Sequence, residues 1–211
     1  TEMPLTASIN RMYLQLTSLV KDIVSVLEGD DIELLSDADE REAEVDALLY
    51  LVARQVCIAL DSHLVSTALK IGRNQAVEFS NLARALERMM DHALQMADLV
   101  KSADEVSMDA NKAPMIHLFV WQKSIKQLMI NIRTRDSYEL EEARLSLKDS
   151  QNEITLFEEQ FVQERKLTKA DLFKFRMSES IRRLCAYARD FGEVLLNIKL
   201  YDEMIVDRSD D

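Results

Sequence analysis

Along six stretches of this chain, apolar residues return at alternating three- and four-residue steps. Ile9, Met12, Leu16, Leu19, Ile23 and Val26 mark the first. Val45, Leu48, Val52, Val56 and Ala59 mark the second, and Leu82, Leu86, Met89, Ala93, Met96 and Val100 the third. Leu118, Trp121, Ile125, Leu128 and Ile132 form the fourth. Ile154, Phe157 and Phe161 form a weaker fifth, and Met177, Ile181, Leu184, Ala188, Phe191, Leu195 and Ile198 the sixth. A mean step near 3.5 residues is the seam of a helix packed at a shallow angle in a left-handed bundle. Little in the chain can interrupt such helices: 3 Gly and 2 Pro among 211 residues leave few turns. Leu, Ala, Glu, Lys, Arg and Met are strong helix formers. The expectation is an all-α protein with six principal helices and no sheet. With 47% apolar residues it has material for a sizeable core, in one large domain or two small ones.

The breaks fall between the stripes. Gly29-Asp30-Asp31 ends the first helix, and Gly72-Arg73-Asn74 interrupts the chain before the third. Ser36-x-x-Asp39 and Thr168-x-x-Asp171 read as N-caps of the second and sixth helices. Lys101 to Pro114 is polar, with Pro114 placed for a helix start, and reads as the linker between halves. The halves resemble each other. Arg88 to Ala93 aligns with Arg183 to Ala188 at an offset of 95. Glu33-Leu34 aligns with Glu139-Leu140 at 106, and Glu42-x-x-x-Asp46 with Asp149-x-x-x-Glu153 at 107. The difference places about 11 or 12 extra residues in the first half, within Asp61 to Gln75. Two tandem three-helix bundles follow, residues 1–105 and 106–211.

The net charge of −12 disfavours nucleic-acid phosphate and anionic lipid as partners and suits basic partners or cations. The two cysteines, Cys57 and Cys185, form no Cys-x-x-Cys pair. That fits a reducing cytoplasm and excludes a disulfide scaffold or a thiolate zinc site. The longest uncharged run near the middle, Ala113 to Gln122, is too short to span a bilayer. No basic-then-apolar signal opens the chain. It starts on Thr1 rather than Met, which reads as a trimmed chain or a fragment.

Two acidic pairs stand out. Glu87 and Asp91 lie four apart in the third helix, in Leu86-Glu87-Arg88-Met89-Met90-Asp91-His92-Ala93, and Glu42 and Asp46 have the same spacing in the second. Residues four apart on a helix stack one turn above each other. Two carboxylates so placed repel until an arginine, solvent or a cation offsets them. Four carboxylates from two neighbouring helices can make a hard-cation site, with Mg, Mn, Fe or Zn as candidates. The bland reading is a solvated acidic face, partly offset by Arg84 and Arg88.

These motifs, Glu42-Ala-Glu-Val-Asp46 and Leu-Glu87-Arg-Met-Met-Asp91-His92, resemble the PhoU family of phosphate-uptake regulators. The likeness is most specific in the first half. It is closest to the archaeal branch, in which the PhoU region follows a small SpoVT/AbrB-like DNA-binding domain. The resemblance implies two three-helix bundles with a spectrin-like arrangement. It also implies a metal cluster on acidic motifs of the bundle surface, and negative regulation of a phosphate ABC transporter and its sensor kinase. Carried over residue by residue, Glu42, Asp46, Glu87 and Asp91 take the ligand positions, with His92 beside them. In the second repeat the positions equivalent to Glu87 and Asp91 are Arg182 and Ala186. Neither can ligate a cation, so a second cluster is expected to be absent, with Arg182 paired to Asp149 or Glu153.

The functional expectation is a cytoplasmic, non-enzymatic regulator of phosphate uptake and signalling, and through signalling of transcription. Its partner would be the transporter ATPase or the sensor kinase, with a homodimer also open. Neither nucleic-acid binding by this chain itself nor membrane insertion is expected. Two readings compete with this one. A di-metal carboxylate enzyme of ferritin type needs Glu-x-x-His on two helices, and the chain has none. Gly-rich phosphate loops and nucleophile elbows are also missing. A metal-free helical interaction module is the other reading. His63 and His117 show no ligand spacing and receive no role. The ten Met and Trp121 read as core, and the C-terminal Asp207 to Asp211 as a frayed tail.

Overall fold

The computed structural model describes residues 5–68, 72–103, 108–162 and 166–207. The elements in order are α1 (Leu5–Glu28), a 3-10 turn (Ile32–Leu35), α2 (Ala38–Asp61), α3 (His63–Ala68), α4 (Arg73–Ser102), α5 (Met115–Thr134), α6 (Ser137–Val162) and α7 (Lys169–Asp207). No strand occurs among the described residues. None of the described helices is long and apolar enough to cross a membrane.

Five of the six stripes read from the sequence are buried throughout, in α1, α2, α4, α5 and α7. The weak stripe is different. Its helix, α6, begins at Ser137, well before Ile154, and its inner face runs Leu140, Ala143, Leu147, Ser150, Ile154 and Glu158. Three of those positions are small or polar, which hid the period. The count of six is corrected by one short helix, α3, which falls within the stretch where the first half carries extra residues.

Gly29 closes α1 at φ 114, a conformation other residues rarely adopt. Thr168 and Asp171 form a reciprocal cap at the start of α7. The Thr168 N–H donates to Asp171 Oδ2 at 2.9 Å, and the Asp171 N–H donates to Thr168 Oγ1 at 3.1 Å. The expected cap at Ser36 and Asp39 is overturned. Ser36 closes the 3-10 turn by donating its N–H to the Glu33 carbonyl, and Asp37 precedes α2 without a side-chain cap. Asp37 instead pairs with Arg41 at 2.9 Å. Between α5 and α6, Arg135 takes φ 50. Buried Asn131 braces that corner, accepting from the Asp136 N–H at 2.7 Å and donating to Glu139 at 2.7 Å.

Helices α1, α2 and α4 pack on one another, as do α5, α6 and α7. The most extensive helix pair is α4 with α7, which joins the two groups. One hydrophobic core runs through all of them. Trp121 on α5 is fully buried and donates its indole N–H to Met89 Sδ on α4 at 3.4 Å. Asp202, near the end of α7, meets both Gln75 on α4 and Arg135 at the end of α5.

Candidate functional site

Helices α2 and α4 lie side by side, and the four carboxylates singled out in the sequence come from this pair. Glu42, Asp46, Glu87 and Asp91 are each partly buried. Burial raises the Glu42 carboxyl above its usual range, and Asp46, Asp91 and Asp39 push it further the same way. Burial also raises Glu87, then Asp91 and Asp46, with Arg88 and Arg84 pulling back. Asp91 is raised by burial and by Asp46, against His92 and Arg88. The four groups therefore sense one another across the α2–α4 seam, as the paired spacing requires.

None of the four accepts a hydrogen bond or makes an ion pair among the described residues. Their acidic neighbours on α2 are served by the protein. Glu44 receives Arg11 and Gln15, Asp37 receives Arg41, and Asp39 receives Lys101 at 3.7 Å. The donor set suits a hard cation in charge and chemistry. No three Asp, Glu, His or Cys side chains among the described residues converge as closely as a chelated ion would need. The patch is thus a coupled, unsatisfied set of acceptors whose side chains stand apart.

His92, next to the motif, turns to the other side of α4. Its ring stacks on Tyr187 of α7 with centroids 5.8 Å apart and planes 24° apart. Its Nδ1 has no hydrogen-bond partner among the described residues, and burial lowers its pKa. Arg88 lies 5.5 Å over the same Tyr187 ring. This imidazole belongs to the α4–α7 seam.

In the second half the expected pairing is overturned. Arg182 binds Glu158, with Nε at 3.0 Å from Oε2, and Ser178 donates to the same carboxylate at 3.3 Å. Arg189 meets Gln151 at 2.8 Å. Both pairs obey one antiparallel register of α6 on α7, which carries Arg182 past Asp149 and Glu153. Those two acids face α5 instead. Glu153 Oε2 lies 3.5 Å from His117 Nε2, and His117 Nδ1 lies 3.2 Å from Ser150 Oγ. His117, given no role from the sequence, is buried. Its partners stand 33 and 36 positions away, so no local spacing could have shown them.

Residues 9–100 match the family model of the PhoU domain, a stretch that holds all four carboxylates. No curated protein and no solved structure matches the chain.

Proposed function

We propose, from the PhoU domain that this chain carries at residues 9–100, that the protein is a non-enzymatic regulator of phosphate uptake. The PhoU domain itself speaks for phosphate regulation through protein contacts. Glu42, Asp46, Glu87 and Asp91 would hold a divalent or transition cation, Fe, Zn, Mn or Mg. The chain would act in the cytoplasm on a phosphate ABC transporter ATPase or a sensor kinase, through two successive units, 1–105 and 106–211. One observation carries the cation: four mutually repelling carboxylates on adjacent helices that no donor among the described residues satisfies, beside acids that are satisfied. A bound cation would supply the missing positive charge. The residues' own part is to present oxygen donors from both helices, so that the charge ties α2 to α4. Open side chains fit an ion that draws them together. A ferritin-type enzyme is poorly supported, since the nearest imidazole, His92, is engaged with Tyr187.

The test is metal analysis with thermal melts of the full chain and of Glu87→Gln/Asp91→Asn. Wild type should retain metal and melt higher when Mn, Fe, Zn or Mg is added. A ligand at 100 times its Kd adds about 2.7 kcal/mol. The double variant should lose that response. Without metal it should melt above wild type, because two repelling charges are gone. An equal metal response in both proteins would put the cation elsewhere, and no response in either would leave a metal-free interaction module.

A further inference from the structure

A second acidic site lies outside the PhoU match, between α5 and α6. A half-open cavity of about 330 Å³ runs along the seam of the two helices. Glu142, Asp149 and Glu153 line it from α6, and Ser124 and His117 from α5. An acidic lining alone would be an ordinary solvated groove. The floor is what distinguishes it. Ser124 is only 3% exposed, lines the cavity, and has no hydrogen-bond partner among the described residues. The residue is buried while its hydroxyl faces the cavity and no protein group among the described residues, so the hydroxyl is left to pair with a donor or acceptor that enters the cavity. His117 and Ser150, both buried, already satisfy each other.

The lining defines the chemistry of the occupant. Among the described residues, Glu142 and Glu153 receive only neutral or weak donors, from Gln127 at 3.4 Å and His117 at 3.5 Å, and Asp149 receives none. Burial lowers the His117 pKa, so the ring brings no full charge at neutral pH. Among the described residues, the single cation lining the cavity is exposed Lys123, which makes no ion pair with any of them. The carboxylates span positions 142 to 153, roughly 16 Å at 1.5 Å per residue. They do not converge as ligands of one metal ion would. Ile116 and Val120 supply an apolar wall beside them. Spread charge beside an apolar wall suits an extended aliphatic chain bearing ammonium groups.

We propose that the α5–α6 cavity binds a linear polyamine, with ammonium groups on Asp149, Glu153 and Glu142, methylenes on Ile116 and Val120, and the Ser124 hydroxyl accepting from an ammonium. The site is independent of the cation patch on α2 and α4. Calorimetric titration of the full chain with spermidine at about 0.15 M salt tests it, where screening suppresses diffuse attraction. Wild type should take up one equivalent. Asp149→Asn/Glu153→Gln should weaken binding tenfold or more, and Ser124→Ala severalfold. Lys123→Met should tighten it. Glu87→Gln/Asp91→Asn should bind as wild type does. Wild-type affinity in Asp149→Asn/Glu153→Gln would overturn the proposal. So would equal weakening in both double variants, or full displacement by magnesium at matched ionic strength, since each is the mark of nonspecific acidity. Circular dichroism confirms the fold of each variant. Ser124→Ala changes no charge, so unaltered affinity in it would overturn the role given to the hydroxyl.

Discussion

Cys57 is exposed and Cys185 is buried in the seam of α7, where burial pushes its thiol up to about 12. Thiolate is the reactive form, so only Cys57 should react with a thiol reagent in the native protein. The titre should be one thiol per chain, rising to two in denaturant; two native thiols would mean that α7 opens. His117 gives a pH prediction at the same scale. Burial lowers its pKa, while Glu153 opposes the shift. The folded state then takes up its proton at a lower pH than the unfolded state. Stability should fall as pH drops through about 6.5, the ordinary histidine value, toward the depressed folded one. Asp149 and Glu153 on α6 and Lys123 on α5 share its cavity and remain in place. Urea melts at pH 7.5 and 5.5 should show a larger loss for wild type than for His117→Gln. Equal losses would assign the effect to other groups, His92 among them.

At the scale of the helix, Gly192 marks a close approach of α7. A Cβ there would stand 2.8 Å from Arg144 Cγ and 3.2 Å from Leu128 Cδ2. Alanine gains about 1 kcal/mol of helix propensity over glycine, against about 1–3 kcal/mol for overpacking. Arg144 is tied to Glu141 at 2.7 Å and Glu193 at 3.7 Å, which hinders its retreat. Gly192→Ala should therefore melt below wild type, and Gly192→Leu far below. A rise in Tm for the alanine variant would show that Arg144 yields freely. Helices were legible in the sequence wherever an unbroken apolar stripe runs along the inner face, as on α5, where His117, Ser124 and Asn131 are buried beside the stripe and not within it. They faded where polar residues occupy the stripe itself, as with Ser150 and Glu158 on α6. At the cap of α2 spacing misleads, because the 3-10 turn uses Ser36 first. The pairing of Glu42 and Asp46 with Glu87 and Asp91 was legible because α2 and α4 are neighbours. The fate of Arg182 was not, because an internal repeat fixes equivalence but not the register of α6 on α7.

At the scale of the whole molecule, the core passes unbroken from one helix group to the other, and Trp121 sits where they meet. Trp121→Ala should cost about 3–5 kcal/mol. Fluorescence of this single tryptophan and far-ultraviolet dichroism should trace one shared unfolding transition. Two separated transitions would show groups that melt independently. A chain cut after Ser102 would bare the face of α4 that α7 covers, so loss of its cation response would not speak against the patch. Helix α4 is thus a common beam, with the carboxylates on its α2 side and the Arg88–Tyr187–His92 stack on its α7 side. Whatever grips one flank of a beam does work on whatever grips the other. An ion that favours one seating of α4 and a protein that favours the same seating from α7 must strengthen each other by equal factors. A signal held on one flank is then legible from the opposite one.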